Sequence, residues 1–527
     1  MENRKESFLK GIMSLLLSQI LIKFIGLVYK LYLTNKEGFG DSGNAIYSSG
    51  FQIYALLLTF SSTGVPNAIS KLVAERLAVG DSKGAHKIFK IAFITFALIG
   101  LTGSILLFLG SKTIANNWIE IPEAEYSLIA LSPSIFFVSI ISVIRGYFNG
   151  RQNFQVTAKS QSVEQIFKTV FTIVLVEFVV LIGKNNTTIM AGAANLATTV
   201  ATVLSFIYIY LYYKSKKREI GQEILQTVNY TPTRIRKTIK TIVTVAMPIS
   251  ISSLIASFNK NIDSFTIVRF LKRITTEEQA KIQYGILSGK IDSLCSLPFS
   301  LNVAFVTAMV PSISKSMARK NIKDVRKKAE VFILISIIIA LPISAIMFIY
   351  PEQILGLLFP NAQNGAMYLK VSAITIVFMI LAQTINGILQ GIGKVNIPPI
   401  AFGIGMICKF ICNIVLIPIN NIGIYGAIIG NIVCNIVAFI IGLAVLNKSI
   451  KLDMKLKRVF LKPFLATLFM CIISKILYYN LICIKMHKLV IIVTLLVSII
   501  IYFIFIIIFR IFSYDEIKLL NKNQKKF

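Results

Sequence analysis

Runs of about twenty mainly apolar residues recur from one end of this chain to the other. A helix needs that length to cross the hydrocarbon core of a bilayer, where every backbone amide must be satisfied within its own segment. About fourteen such runs can be marked by this rule. Their limits are 12–34, 46–70, 88–110, 126–148, 160–183, 187–213, 241–268, 284–310, 329–350, 366–392, 398–418, 422–446, 459–480 and 488–512, the second and eighth being the most polar. The first run is longer than the apolar part of a signal peptide and no small-residue cleavage pattern follows, so it is read as a span. The expected fold class is all-α, a polytopic membrane protein of about 14 transmembrane helices. Composition agrees. The chain is 55% hydrophobic and 15% charged, against about 25% charged in a soluble domain, too little polar surface to cover a water-soluble core.

The net charge is +32, from 55 basic and 23 acidic side chains. In a soluble protein that excess would point to nucleic acid; in a membrane protein it follows from retention of lysine and arginine on the cytoplasmic side. No nucleic-acid partner is expected. With the N-terminus inside, the cytoplasmic connections carry Lys71, Arg76, Lys83, Lys87 and Lys90, then Arg151 and Lys159, the stretches 214–240 and 315–328, Lys394, and 448–462. Both termini are therefore expected in the cytoplasm.

An internal repeat organises the runs. Residues 66–71 read PNAISK and 311–315 read PSISK; residues 146–150 read GYFNG and 387–391 read GILQG. The offset is about 240 residues, or six spans. An even number of crossings gives both halves the same orientation, hence a pseudo-twofold along the membrane normal with a cavity between the lobes. The expected layout is an N-terminal lobe over 1–213, a basic cytoplasmic linker over 214–240, a C-terminal lobe over 241–446, and two extra helices with a tail over 447–527.

Much chemistry is missing. No G-x-x-x-x-G-K-[ST] phosphate loop is present, and two histidines, His86 and His487, cannot build a histidine-rich metal site. The six cysteines lie mostly in apolar runs, and Cys408 and Cys412, one turn apart, have no histidine beside them. No nucleophile constellation stands out, so no catalytic residue, metal or cofactor is expected and the chain is not read as an enzyme.

Ionisable residues within spans are the best site candidates, because each costs about 2.5–3.5 kcal/mol at mid-bilayer unless it faces a partner or water. Lys23 lies midway along the first run, with Lys30 two turns on and within snorkelling reach of the interface. Lys260 and Asp263 on span seven are spaced to pair on one face. Lys290 sits near the start of span eight. Arg145 ends span four, and Glu164 and Lys168 follow at i, i+4 on span five. Glu164 pairs with Arg145 or Lys168 in this reading, closing the cytoplasmic mouth. Lys409 and Asn413 share a face of span eleven, with Asp263 one available partner for the lysine.

The stretches GVPNAISKLVAERLAVGD (64–81) and RGYFNGRQNFQVTAKSQSVEQIFK (145–168), with PSISK (311–315), resemble the MurJ and SpoVB-like flippases of the multidrug/oligosaccharidyl-lipid/polysaccharide exporter superfamily. The likeness runs over nearly the whole chain. It implies two six-helix lobes in a V shape plus two helices that shape a lipid-binding groove; drug exporters of the superfamily typically have twelve spans. It implies flipping of undecaprenyl-diphosphate-linked sugars, lipid II first, with basic residues of a central cavity meeting the diphosphate and cell-wall polymerases as partners. Lys23 falls at a basic position of the family's first span, here Ile22-Lys23-Phe24-Ile25-Gly26, whereas the next basic position is Tyr29. Lys30, Lys260 and Lys290 complete the headgroup candidates. Some members couple to sodium through acidic and amide groups on spans seven, eleven and twelve. Here span eleven offers Lys409, whose ammonium can replace a bound sodium ion.

Overall fold

The computed structural model describes Ser18 and residues 21–59, 64–183, 186–227, 230, 232, 234–454, 457–481 and 487–511. Over the described residues each of the expected spans coincides with helix, and no strand occurs among them. Helix α1 covers 21–35. The second run resolves into α2 (Gly40–Thr59) and α3 (Val65–Ala78). There follow α4 (Ser82–Thr113), α5 (Ala124–Gly150), α6 (Phe154–Leu181), α7 (Thr187–Leu225) and α8 (Ile235–Leu271). The polar eighth run is α9 (Glu277–Gly285), a π-helical turn over Ile286–Ile291, and α10 (Asp292–Ala318). The chain continues through α11 (Ile322–Ile349), a short α12 (Pro351–Leu358) that hydropathy did not announce, α13 (Ala366–Gly391), α14 (Ile397–Leu416), α15 (Tyr425–Ile450), α16 (Lys462–Leu481) and α17 (His487–Ile508).

Nine helices of the described residues are long and apolar enough to cross a membrane. Their outward faces stay apolar. Ile94, Leu98, Leu101, Ile105 and Leu109 are exposed along α4, as are Ile500, Phe503 and Ile507 on α17. In water such stripes would drive aggregation; in lipid they are the solvated face. The molecule is a multi-pass membrane protein. Helix α6 is as long, but Lys159, Glu164, Lys168 and Glu177 interrupt it, so part of its surface must face protein or water.

Close packing gathers the chain into two compact units, one of residues 1–290 and 417–424, the other of 291–416 and 425–527. The division falls after Lys290 and not within 214–240, because α8 and α9 pack on α2, and α8 also on α3 and α4. The first unit has a core of Ile69, Val73, Phe89, Ile144 and Tyr147. The second is built around Ile313, Ile333, Ile385 and Leu389, and Ala466, Met470 and Tyr502 join α16 and α17 to α11.

The repeated motifs make the same kind of crossing in each unit. A Cβ at Gly146 would meet the Pro66 backbone at 2.8–2.9 Å, and one at Gly150 the Ser70 carbonyl at 2.7 Å, so α5 lies directly on α3. A Cβ at Gly387 would meet Val306, and one at Gly391 Ile313 at 2.9 Å, so α13 lies on α10 in the same way. Small residues at a crossing let helices approach where apolar surface alone gives no drive to associate. The turns repeat as well. Left-handed backbone occurs at Gly80 and Lys320, at Gln152 and Gly393, and at Gly183 and Gly423, each pair about 240 residues apart.

Candidate functional site

In the first unit α1 is fastened along α6 by hydrogen bonds. Ser18 bonds Ser162 (2.8 Å) and donates to the Ala158 carbonyl, and Thr169 donates to the Ile25 carbonyl. Towards the end of α1, Tyr32 donates to Glu177 at 2.6 Å and Lys36 pairs with the same carboxylate at 2.7 Å. These bonds fix the rotation of α1 and so decide where its lysines point.

Lys23 is exposed, and its nearest charged influences are the ammonium of Lys260 on α8 and the phenol of Tyr29. Lys260 is also exposed. Among the described residues neither lysine has an ion-pair partner. Unpaired charges on two helices within the spans are least costly where water or an anion reaches them. This corrects the expected pairing of Lys260 with Asp263, since Asp263 is 8% exposed and turned to the protein interior. Lys30 is half-buried with its ammonium 5.3 Å from the centre of the Tyr47 ring.

Lys290 departs from expectation most. It is fully buried, and its ammonium bonds Asp41 at 2.8–2.9 Å, joining the π-helical turn after α9 to the first turn of α2. A lysine already neutralised by an acid in this way is not available to a headgroup in this conformation. It is a closure between helix ends, and Asp41, the partner, lies 249 residues away in sequence.

Arg145 and Glu164 do pair, at 2.9 Å. The guanidinium also donates to Ser160 (2.8 Å) and Ser205 (3.3 Å), so the pair stitches α5, α6 and α7 together. Lys168 is not part of this stitch. It lies one turn beyond Glu164 on α6, but its ammonium sits over the rings of Phe51 (4.1 Å) and Tyr29 (5.1 Å). The carboxylate had a better offer from a guanidinium with three donors aimed at one pocket. Tyr29, Tyr47 and Phe51 are the residues that sequence reasoning passed over. The visible signal was an aromatic stripe, Tyr47, Phe51 and Tyr54, at helical spacing.

In the second unit Lys409 and Asn413 are both fully buried on one face of α14. They point at α15, where a Cβ on Gly430 would meet the Asn413 Oδ1 at 2.6 Å and the Lys409 Cγ at 3.2 Å. A neutral network lies elsewhere in the unit. Asn302, fully buried, donates to the Ile380 carbonyl, Gln383 and Thr384 at 3.2–3.3 Å, and Ser336 bonds Thr384 at 2.7 Å. Among the described residues no three His, Cys, Asp or Glu side chains gather closely enough to hold a metal ion.

A belt of ion pairs ties the α4–α5 connection to α8 and α9. Arg269 meets Glu120 at 2.6 Å, and Lys281 meets both Glu123 (2.7 Å) and Glu277 (2.9 Å). Glu120 adopts a left-handed backbone (φ 58°), which lets its carbonyl accept from Lys272 while its carboxylate takes Arg269. Hydrogen bonding to Lys281 holds the Glu277 carboxyl below its ordinary range. Burial pulls the Lys281 ammonium down, but its bonds to Glu123 and Glu277 outweigh this and leave it above its usual value.

Comparison with known proteins places this architecture. Residues 8–317 match the family described as polysaccharide biosynthesis protein, and residues 291–415 match the MatE family. Stage V sporulation protein B of Bacillus subtilis (strain 168) is 24% identical over 456 residues, 86% of each chain. Lipid II flippase MurJ of the same organism is 25% identical over 431 residues, 78% of this chain and 77% of that one. A solved structure of lipid II flippase MurJ in an inward closed conformation superposes with a TM-score of 0.70 at 18% identity, over 94% of this chain and 98% of that one.

Proposed function

We propose, from the premise that this chain belongs to the polysaccharide biosynthesis protein family, that it is a flippase for polyprenyl-diphosphate-linked cell-envelope sugars. Lipid II is the first substrate to test, and transfer runs from the inner to the outer leaflet by alternating access. The observation that carries this reading is the pair of exposed ammonium groups, Lys23 on α1 and Lys260 on α8, neither with a carboxylate partner among the described residues. A lipid diphosphate cannot cross about 30 Å of hydrocarbon unaided. Cations presented to a wet surface within the spans lower that barrier while the prenyl tail stays in lipid. With both termini in the cytoplasm, the inside-negative potential favours outward movement of the anion by about 2.3 kcal/mol per charge per 100 mV.

A second reading keeps the mechanism and changes the sugar. The sporulation protein among the relatives supports a spore-cortex precursor, and teichoic-acid or capsule units fit the same chemistry. A cation-coupled drug exporter fits less well, since cationic drugs favour acidic surroundings. Cell-wall polymerases are the protein partners that would consume the product.

The test is replacement. A bacterium depleted of its own lipid II flippase and expressing this chain should regain growth and outer-leaflet lipid II, and Lys23→Ala should lose both while inserting normally. No rescue by a well-expressed wild-type chain would redirect the assignment to another lipid-linked sugar. Rescue by Lys23→Ala would remove Lys23 from the site.

A further inference from the structure

Three cationic side chains of the first unit are at least nine-tenths buried among the described residues, Arg145 (9% exposed), Lys168 (7%) and Lys290 (0%). Arg145 has Glu164 and Lys290 has Asp41. Lys168 has no carboxylate within ion-pair distance among the described residues. It lies midway along the 28-residue helix α6, where an unpaired ammonium is most costly. What surrounds it is a block of rings. The Tyr47 ring stacks on Phe51 with centroids 5.8 Å apart and meets Tyr29 edge-on at 6.4 Å. The Tyr47 hydroxyl donates to that of Tyr29 (3.4 Å). Lys168 lies against Phe51 and Tyr29, and Lys30 lies against Tyr47.

A ring face returns only part of what an ammonium loses on leaving water. A structural lysine would meet the deficit with an acid, as Lys290 does. Here its polar neighbour is the Tyr29 phenol rather than an acid, and the surroundings add more positive charge. Lys168 and Lys30 both act on the Tyr29 phenol, and Lys23 shares that neighbourhood. A buried ammonium against a phenol, with further positive charge in the neighbourhood, is stabilised by an anion.

We propose that Lys168, held on the faces of Phe51 and Tyr29, is an anion-binding residue that contacts a phosphate oxygen of the polyprenyl-diphosphate headgroup, with Lys30 on the far side of the same aromatic block. This rests on the flippase reading and adds to it a residue from α6. The chemistry recognised is a diphosphate, and its source is either the lipid-linked form or the free ion in solution.

The full-length chain in lipid nanodiscs would be titrated with undecaprenyl diphosphate and, separately, with inorganic pyrophosphate. Lys168→Met, which keeps length and removes charge, should weaken binding of the lipid about tenfold or more. Lys168→Arg should stay within about threefold, because it keeps the cation. The melting temperature of Lys168→Met should equal or exceed that of wild type, since no acid is stranded by the change. A methionine variant that melts well below wild type overturns the proposal, because the ammonium would then be a structural group. Unchanged lipid binding by that variant overturns the proposal and leaves the flippase reading standing. Wild-type protein that binds no lipid diphosphate overturns the flippase reading, and the proposal with it. Equal affinity for pyrophosphate, lost in the methionine variant, keeps the anion site and overturns its assignment to a lipid.

Discussion

The two repeats share a skeleton and differ in what they bury. In the first, α5 crosses α3 at Gly146 and Gly150; in the second, α13 crosses α10 at Gly387 and Gly391. Left-handed turns fall at matching places in both. Inside the first lie Arg145, Glu164 and Lys168, joined at its edge by Lys290 and Asp41. The polar stitch of the second, Asn302 with Gln383, Thr384 and Ser336, carries no charge. One scaffold thus holds its helices together either by ion pairs or by amides and hydroxyls. The charged version costs more to bury and is retained where cations are also exposed, on α1 and α8. Lys23 on α1 and Lys260 on α8 belong to the compact unit that carries the charged stitch, while the other unit, among the described residues, buries a single lysine, Lys409, beside its neutral network.

The comparison breaks most readily at the two stitches. Arg145→Met strands Glu164 in a pocket lined by Ser160 and Ser205, and should cost about 3 kcal/mol, the low end for a broken buried pair, because the Glu164 side chain keeps 26% exposure. Asn302→Leu removes neutral hydrogen bonds and should cost about 1–2 kcal/mol. Thermal melting of the detergent-purified variants measures both. Equal losses would mean that the charged stitch has no special weight.

The glycine crossings sharpen the likeness between the repeats and expose a limit to it. A methyl group at Gly146 would press on the Pro66 backbone, which cannot turn aside, whereas one at Gly387 would press on the ends of Val306 and Met309. Gly146→Ala should therefore cost about 1–3 kcal/mol, and Gly387→Ala less than about 1 kcal/mol. The same melting experiment decides, and a reversed order would show that the second crossing is the stiffer one.

Much of this frame was legible in the sequence. Twenty apolar residues can do little in lipid except form a helix, and the PNAISK/PSISK and GYFNG/GILQG pairs mark the surfaces where helices cross. The partners of the buried charges were not legible. Lys290 meets an acid from the far end of the unit, a contact that no local spacing encodes. The Glu164 and Lys168 pair was suggested by i, i+4 geometry, and it fails because Arg145 reaches the carboxylate from a second helix, α5. The turn at Lys320 was hidden for a different reason. Gly80 announces a left-handed residue and lysine does not, so the match shows only in the backbone.

The smallest expected effect concerns the ion-pair belt, which has no counterpart in the one ion pair described for α11, Lys328 with Asp324, since that stays within a single helix. Glu277 is held below its ordinary value of 4.5 by Lys281, first through a hydrogen bond and then, against some burial, through the charges of Lys281 and Lys272. A depressed carboxyl contributes stability at pH values above its unfolded value and loses it as pH falls through the folded one. Lys281, raised above 10.5, contributes below that value and loses it only as pH rises through its folded value. The belt should therefore hold across neutral pH and loosen in acid below about pH 4.5. Glu277 is half exposed, so Glu277→Gln should change stability at neutral pH by less than about 1 kcal/mol. Its signature is a shallower fall in melting temperature between about pH 5 and pH 3, with faster hydrogen exchange over residues 114–123 and 277–285 already at pH 7. An unchanged acid slope would overturn the assignment of the loosening to Glu277.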